Sequence, residues 1–439
     1  MNISEKIGVA VPRILLPDKE IDHTRWAVIA CDQFTSQPSY WERVNEFVGD
    51  APSTLRMILP EVYLNNPDVQ DRIQATQDAM RSYLRSGFLA AQDGFVLVER
   101  QHSNQTQTGL MVALDLETYD YNQGSQTLIR ATEGTILDRL PPRMQVRRGA
   151  PLELPHILVL YDDPQFKVLR EVLEAKERLP LCYDFELMFG SGHLQGRLVS
   201  EPALVNSVFS GLSALIEPSA YAEKYQLPAD TPPLLFAMGD GNHSLATAKA
   251  IWEELKPTVG MDHPARYALV EIVNLHDPAI KFEAIHRVLF NARPDFLQQL
   301  ERAFASHIRI NPVSSFEELS DAVLSQKADE QKIGCVSGAG LVLIEFTKPP
   351  HNLPAGSLQE YLDAFLNSHP ETWIDYVHGD DTVQELGSQP GNIGFFLPPI
   401  SKHTFFKTVI LDGALPRKTF SMGHAKDKRF YMECRCISC

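Results

Sequence analysis

The sequence lacks the short motifs that mark the common nucleotide-binding and hydrolytic enzymes. It contains no GxxxxGK[ST] phosphate-binding loop, no HExxH zinc motif and no GxSxG nucleophile motif. Its apolar runs are short, and none approaches the ~20 residues that a membrane-spanning helix needs. The first residues also lack the basic-then-apolar order of a signal peptide. These absences exclude the familiar enzyme classes and predict a cytoplasmic protein.

Basic residues are also in short supply. The 439-residue chain carries 40 Lys and Arg against 56 Asp and Glu, a formal net charge of −16. Because an acidic surface repels the phosphates of DNA and anionic lipids, we expect neither nucleic acid nor a membrane as a partner. A local basic pocket can still hold a small anion or a nucleotide. The composition does not indicate an oligomeric state.

Cysteine is scarce, and half of the six cysteines lie at the very end of the chain, as Cys434, Cys436 and Cys439. Structural zinc normally takes four ligands from two clusters, and the sequence has no second Cys pair. The CxCxxC pattern therefore fits either a soft metal ion or an accumulation of thiols. Cys31 lies beside a carboxylate, which disfavours a reactive thiolate. Dispersed cysteines in a chain of this length agree with a cytoplasmic location.

The most informative stretch is LLFAMGDGNHSLATAKAIWEEL, residues 234–255. Its apolar opening, 234–238, predicts a buried strand, which the following glycines break. Apolar residues then recur at helical spacing from Leu245, which predicts a helix with Asn242 or Ser244 as its N-cap. A helix N-terminus after a glycine turn offers unpaired N–H groups and a positive dipole end. The stretch therefore predicts a phosphate or carboxylate site.

Within this turn we assign phosphate or nucleotide binding to four residues, Gly239, Gly241, Asn242 and Ser244. Asp240 provides a carboxylate that suits a general base or a Mg²⁺ ligand. His243 provides a group that titrates near neutral pH. The alternative is an ordinary turn, because Gly-Asp-Gly-Asn is also a favourable turn sequence.

Polar residues at the ends of other segments are further candidates. Glu133 lies between two threonines and suits a catalytic acid, a base or a metal ligand, although an ordinary salt bridge explains the same letters. Asp32 and Asn274 follow the predicted strands 26–30 and 267–273, and we assign both to a substrate pocket. A turn that merely caps the strand is the alternative for Asp32.

Basic residues in the second half of the chain provide positive charge. His286 and Arg287 can face the glycine turn if the strand before them neighbours the strand that leads into the turn. The alternative is that they begin a helix running to Phe290. Arg417 and Lys418 belong to a basic, small-residue stretch that can line the same anion pocket, with simple solvation as the alternative.

Several of these segments resemble a known family, DUF1015. GDGNHSLATA is similar to its DGHHR-type motif, and ATEGTILDRL (131–140) to its acidic segment. NLHDPAIKFEAIHRVL (274–289) is similar to its D…HR stretch, and LPRKTF (415–420) to its PRK motif. The chain departs from the pattern where Ser244 replaces an arginine, so the phosphate clamp of an Arg fork is missing or comes from elsewhere.

The DGHHR-type motif in turn resembles the phosphate-binding turn of the ParB/sulfiredoxin-like fold, which includes nucleotide-binding proteins and a free-serine kinase. The resemblance implies a mixed α/β fold (α+β) with such a core and additional α/β elements. We divide the chain into an N-terminal region 1–125, a central domain 126–293 carrying the turn, and a C-terminal region 294–439 whose basic tail returns to the site.

The function implied is that of a phosphotransferase or kinase-like enzyme acting on a small hydroxyl-bearing metabolite, an amino acid or a hydroxy acid. ATP or ADP with Mg²⁺ would be the cofactor, and no tightly bound organic cofactor is expected. A metal-dependent phosphoesterase, with Asp240, His243, Glu133 and His286 as ligands, is one alternative. A non-catalytic nucleotide- or metabolite-sensing protein is the other.

Overall fold

The chain divides into two compact units, one formed by Met1–Ile280 with Gly423–Cys439 and the other by Lys281–Met422. In sequence, the second unit is thus inserted into the first. The division that we expected at 125 and 293 differs, since strands before and after residue 125 share one sheet. The computed structural model describes residues 3–102, 104–122, 124–327, 330–416, 418–422 and 428–438.

The first unit contains short strands at its periphery and longer ones at its centre. Its strands are β1 Ile3–Ser4, β2 Val9–Ala10, β3 Arg13–Pro17, β4 Val28–Ile29, β5 Leu89–Asp93, β6 Phe95–His102, β7 Gln105–Asp115, β8 Tyr119–Asp120, β9 Ile129–Arg130, β10 Leu152–Glu153, β11 Leu158–Tyr161, β12 Leu181–Glu186, β13 His193–Val199, β14 Phe236–Asp240, β15 Tyr267–Asn274, β24 Phe430–Tyr431 and β25 Arg435–Cys436. Its helices are α1 His23–Trp26, α2 Pro38–Val48, α3 Val69–Ser86, α4 Leu140–Arg147, α5 Arg170–Glu174, α6 Pro202–Leu215, α7 Pro218–Tyr225 and α8 Asn242–Val259.

The second unit contains the remaining described elements. Its strands are β16 Phe282–Ala284, β17 His286–Phe290, β18 Ile308–Val313, β19 Gln331–Ser337, β20 Gly340–Phe346, β21 Trp373–Val377, β22 Ile393–Phe396 and β23 Phe420–Met422. Its helices are α9 Phe296–Phe304, α10 Phe316–Leu324, α11 Pro354–Ser368, α12 Asp380–Gly387 and α13 Lys402–Asp412.

A mixed sheet forms the centre of the first unit, in the order β12-β13-β6-β7-β15-β11-β14-β9-β8, with β2 and β1 attached beside β7. Successive side chains of a strand point to opposite faces, and here both faces are apolar. In β6, Phe95 and Leu97 belong to one core and Val96 and Val98 to the other. Helices α6 and α8 cover the first face, and α2 and α3 cover the second.

Three segments show where sequence pattern and structure agree and where they differ. The apolar runs 94–99 and 108–116 are typical of paired strands, and they form the antiparallel pair β6–β7. The apolar run 57–60 is also typical of a strand, but Ser53 accepts a hydrogen bond from the N–H of Leu55 and a 3₁₀ turn follows. The pattern of residues 166–179 predicts one helix, but the α-helix is limited to α5, because the Asp163 carboxylate accepts from nearby N–H groups and holds a turn there.

The second unit has its own six-stranded antiparallel sheet, in the order β18-β20-β19-β22-β17-β21, and a separate β16–β23 ribbon. Helices α9 and α11 pack on one face and α10 and α12 on the other. The helix considered for residues 286–290 is wrong. This segment is the strand β17, and its Val288 and Leu289 fill the cores on opposite faces.

The C-terminal segment of the chain adds its strands to the first unit. Strand β24 pairs with β4 and β25 pairs with β10, and the backbones of Cys434 and Leu15 form an isolated antiparallel β-bridge. The segment is therefore part of the first unit's core. Across the described parts of the chain, no helix combines the length and the apolar character that crossing a bilayer requires.

Candidate functional site

A tight turn links β14 to α8, as the sequence predicts. Strand β14 continues to Asp240, two residues beyond the predicted end, and Gly241 follows with φ 76° and ψ 28°. This left-handed conformation favours glycine. A Cβ added to Gly241 would also lie 3.0 Å from the Cα of Ile157. Backbone conformation and close packing therefore both require glycine at this position.

The first turn of α8 brings a second predicted segment to this place. Asn242 Nδ2 donates to the backbone oxygen of Glu133 at 3.2 Å and to Thr135 Oγ1 at 3.3 Å. Thr132 Oγ1 donates to the backbone oxygen of Met238 at 2.8 Å. Asn242 Oδ1 is buried without a hydrogen-bond partner among the described residues. The Glu133 segment and the glycine turn, widely separated in sequence, thus lie side by side.

Ser244, where the family pattern has arginine, belongs to a chain of hydrogen bonds. Its Oγ lies 3.0 Å from His156 Nε2, and His156 Nδ1 lies 2.7 Å from the Tyr431 hydroxyl. That hydroxyl accepts the N–H of Cys31 at 3.2 Å. Because His156 and Tyr431 are almost fully buried, this chain fixes the position of the Ser244 hydroxyl at the start of α8.

Charged groups surround the same end of the helix. Lys428 Nζ lies 2.9 Å from Asp240 Oδ2, and Asp32 Oδ2 lies 3.7 Å from His156 Nε2. Burial alone would raise the pKa of Asp32, but the charges of His156 and Lys428 and a hydrogen bond from Gln33 lower it overall. Asp32 is therefore ionised at neutral pH, and its negative charge lies beside the His156 imidazole.

The remaining residue at the turn, His243, is half-buried. Its Nε2 accepts the N–H of Ile136 at 3.4 Å, so the imidazole faces the loop that follows Glu133. The turn, the Glu133 loop, Asp32 and the Lys428–Asp240 pair together make a polar cluster of mixed sign. We call Asp32, His156, Asp240, Ser244 and Lys428 the turn cluster.

The side chain of Asn274, which the sequence predicts in a substrate pocket, makes its hydrogen bonds within the first unit. Asn274 Nδ2 donates to the backbone oxygen of Asp163, and its Oδ1 accepts from the N–H groups of Asp163 and His276. Strand β11 lies between β14 and β15. Strand β15, which ends at Asn274, is therefore not a direct neighbour of β14, which leads into the turn. The prediction that His286 and Arg287 face the turn required these two strands to be neighbours, and they are not.

His286 and Arg287 are buried in the second unit. His286 Nδ1 accepts the N–H of Leu397 at 3.1 Å, and burial lowers its pKa to about 4 although Asp380 acts in the opposite sense. Arg287 is fully buried and donates to Gln359 Oε1 and to the backbone oxygen of Ile285. Both side chains are therefore buried and make the hydrogen bonds given above inside the second unit.

Of the two basic residues predicted near the chain's end, Arg417 lies outside the described residues. Lys418 is exposed in the second unit, with φ 56°. Among the described residues, Lys428 contacts the glycine turn through Asp240.

In the described part of the chain, no group of three or more His, Cys, Asp or Glu side chains is arranged to hold a metal ion. The four ligands considered for a phosphoesterase therefore do not form such a cluster there. Asp240, considered as a Mg²⁺ ligand, has Lys428 as its partner.

Sequence reasoning did not identify His156, Tyr431 or Lys428. His156 had a visible signal, since it is a polar residue directly before the apolar run that contains strand β11. Tyr431 and Lys428 had none, because their contacts join the C-terminal segment to residues far earlier in the sequence.

Comparison with known proteins gives the family. The model of the family described as protein of unknown function, DUF1015, matches residues 15–365. The chain belongs to the DUF1015 family. No curated protein matches it. Membership confirms the expected resemblance and leaves the reaction open.

Solved structures similar to this DUF1015 protein are distant. A conserved hypothetical protein from Pyrococcus furiosus has 10% identity and a TM-score of 0.35, covering 73% of this chain and 90% of its own. A free serine kinase variant in complex with ADP has 8% identity and a TM-score of 0.40, covering 75% and 93%. SbnI from Staphylococcus aureus, truncated at its C-terminus, has 9% identity and a TM-score of 0.34, covering 71% and 82%. At such low TM-scores these similarities establish no function.

Proposed function

We propose that this DUF1015 protein is a phosphotransferase that acts on a small hydroxyl-bearing metabolite, with nucleotide phosphates bound at residues 239–244. The observation that carries the proposal is the start of α8. There a left-handed Gly241, which has no side chain to cap the helix, leads into an 18-residue helix. Its first N–H groups and dipole favour an anion.

The missing arginine has a replacement in this arrangement. Lys428 lies 2.9 Å from Asp240 at the same turn, and it is a point charge of the kind that binds phosphate. A nucleotide phosphate would compete with Asp240 for this ammonium group. Ser244 Oγ lies 3.0 Å from His156 Nε2, and where this nitrogen is the donor, the Ser244 hydroxyl proton is left to donate to a phosphate oxygen.

Carboxylates at the turn suit the remaining roles. In the proposed step, the substrate hydroxyl oxygen bonds to the terminal phosphorus of ATP, and the bond from that phosphorus to the ADP oxygen breaks. The hydroxyl proton passes to a carboxylate, for which Asp240 and Glu133 are the candidates and Asp32 is a third. Mg²⁺ would neutralise the phosphate charge, and these same oxygen ligands suit it.

The test is calorimetric titration of ATP with Mg²⁺ into the wild-type protein and His243→Ala. Because His243 lies in the first turn of α8, we expect the variant to bind ATP about tenfold more weakly, or ~1.4 kcal/mol. His307→Ala is the matched control, since His307 is an exposed histidine of the second unit. Phosphoryl transfer is followed by ³¹P NMR with alcohols, hydroxy acids and amino acids.

Absence of ATP binding at millimolar concentration would contradict the proposal, as would equal affinity in His243→Ala and the wild type. ATP binding without any phosphorylated product would favour the sensing alternative.

A further inference from the structure

A pocket opens beside the turn cluster in the first unit. Its volume is about 140 Å³, close to that of an engineered apolar cavity of ~150 Å³ that binds benzene. Most of its wall is apolar and comes from buried side chains. These include Met57, Ile58, Leu59, Met80, Leu152 and Ile157.

Further polar groups in the wall come from the turn cluster and its partners. Ser244, His156, Tyr431 and Cys31 all line the pocket, and the hydrogen bonds described above link them. Ser244 and Thr247 bring the first turns of α8 into this wall. A ligand in the pocket therefore reaches the end of α8 where nucleotide phosphates are proposed to bind.

The charges in the wall are already matched. Arg143 Nη2 lies 2.5 Å from Glu61 Oε2, and Arg147 Nη2 lies 2.6 Å from Glu153 Oε2. An amino acid or a hydroxy acid brings a carboxylate, which would have to displace one of these partners. A body without net charge requires no such exchange, and apolar walls favour an apolar body.

We propose that this pocket binds the phosphoryl acceptor, and that the acceptor is a neutral alcohol with an apolar body of about six carbon atoms. Its hydroxyl lies against Ser244 and His156, and its body lies among the methionine, isoleucine and leucine side chains. The pocket's role as the acceptor site rests on the proposed phosphotransferase function. The acceptor proposed here is a neutral alcohol, whereas the family resemblance implies an amino acid or a hydroxy acid.

The test uses benzyl alcohol as the probe, with serine and toluene for comparison, and it needs no nucleotide. Binding is measured by ligand-observed NMR on the full chain. Val146→Phe places a larger side chain in the pocket wall from α4, and we expect benzyl alcohol to bind at least tenfold more weakly. Gln145→Phe is the matched control, since Gln145 is the neighbouring exposed residue and is not part of the wall.

A second variant tests the polar end. Ser244→Ala should weaken benzyl alcohol while leaving toluene unchanged, because only the alcohol has a hydroxyl to pair. Cooperative thermal unfolding of each variant shows that it is folded. Equal affinity of Val146→Phe and the wild type for benzyl alcohol would overturn the assignment, as would tighter binding of serine.

The two proposals fail separately. If benzyl alcohol binds as expected but ATP phosphorylates none of the alcohols, hydroxy acids and amino acids tested, the pocket stands and the phosphotransferase falls. If ATP phosphorylates serine while the pocket variants bind benzyl alcohol like the wild type, the phosphotransferase stands and the pocket assignment falls.

Discussion

Two clusters of charged side chains in the first unit take residues from one short C-terminal segment, yet they differ in their access to solvent. The first cluster, which we call the ion network, contains Arg100, Arg429, Glu271 and Glu433. In it, Arg429 lies 3.2 Å from Glu271 and 2.5 Å from Glu433, and both carboxylates are at most 1% exposed. In the turn cluster, the side chains of Lys428 and Asp240 are 16% and 28% exposed. The adjacent residues Lys428 and Arg429 therefore belong to different clusters, one that solvent reaches and one that is buried.

The comparison shows that charge alone does not mark a site. Arg100 lies 2.9 Å from Glu271, and the Tyr183 hydroxyl donates to Glu433. Each carboxylate of the ion network is thus paired inside the core, where no ligand reaches it. The turn cluster combines carboxylates, a lysine and a helix N-terminus that solvent does reach, so a ligand can exchange partners with its members.

The largest expected effect is on the ion network. Arg429→Leu would leave Glu271 and Glu433 buried with fewer positive partners, and breaking a buried pair in this way costs about 3–5 kcal/mol of unfolding free energy. Urea denaturation followed by circular dichroism measures it. Arg148→Leu is the control, because its pair with Glu254 is about half exposed and should contribute less than ~1 kcal/mol. Similar losses in both variants would contradict the assigned difference in burial.

An intermediate effect is expected at the turn cluster, and on binding rather than on stability. Lys428→Met should weaken ATP about tenfold, or ~1.4 kcal/mol, because it removes the cation beside the helix N-terminus. Its unfolding free energy should change by less than ~1 kcal/mol, since the pair with Asp240 is partly exposed. Calorimetry and urea denaturation on one preparation give both values. A large loss of stability with unchanged ATP affinity would contradict the prediction, because Lys428 would then contribute to folding and not to ATP binding.

The smallest effect concerns pH. The pKa of Asp32 is lowered in the folded protein, so its ionisation stabilises the fold above the ordinary aspartate pKa of ~3.9, and this contribution disappears as the pH falls through the lowered value. The unfolding free energy of the wild type should therefore fall relative to that of Asp32→Asn on going from neutral to acidic pH. Urea denaturation across this range measures it, and parallel pH profiles would show that Asp32 has no lowered pKa.

Local pattern was enough to predict the strand, turn and helix of the candidate site. An apolar run, two glycines and a helical apolar spacing are all contained in residues 234–255, so strand, turn and helix follow without knowledge of the rest. The family motif at residues 131–140 likewise indicated the loop that Asn242 contacts. Both signals are short stretches of sequence whose meaning does not depend on distant pairing.

The partners of the turn were beyond such reasoning. His156 and Tyr431 are 275 residues apart in sequence, and no periodicity connects them. Arg287 shows the opposite difficulty. Its residue type suggests anion binding, but a short apolar run does not distinguish a helix from a buried strand. Only the sheet order shows that β17 is an interior strand whose arginine is fully buried.

The return of the C-terminal segment has a consequence for synthesis. Trp26 donates a hydrogen bond to the backbone oxygen of Met432, 406 residues later. At ~5–20 residues per second of translation, on the order of 20–80 s separate these two residues on the ribosome. During that interval strand β4 and the apolar side chains near it lack their C-terminal partners, β24 among them. The second unit is contiguous in sequence and can fold as it emerges. The nascent first unit therefore exposes part of its apolar surface for longer than the second unit does.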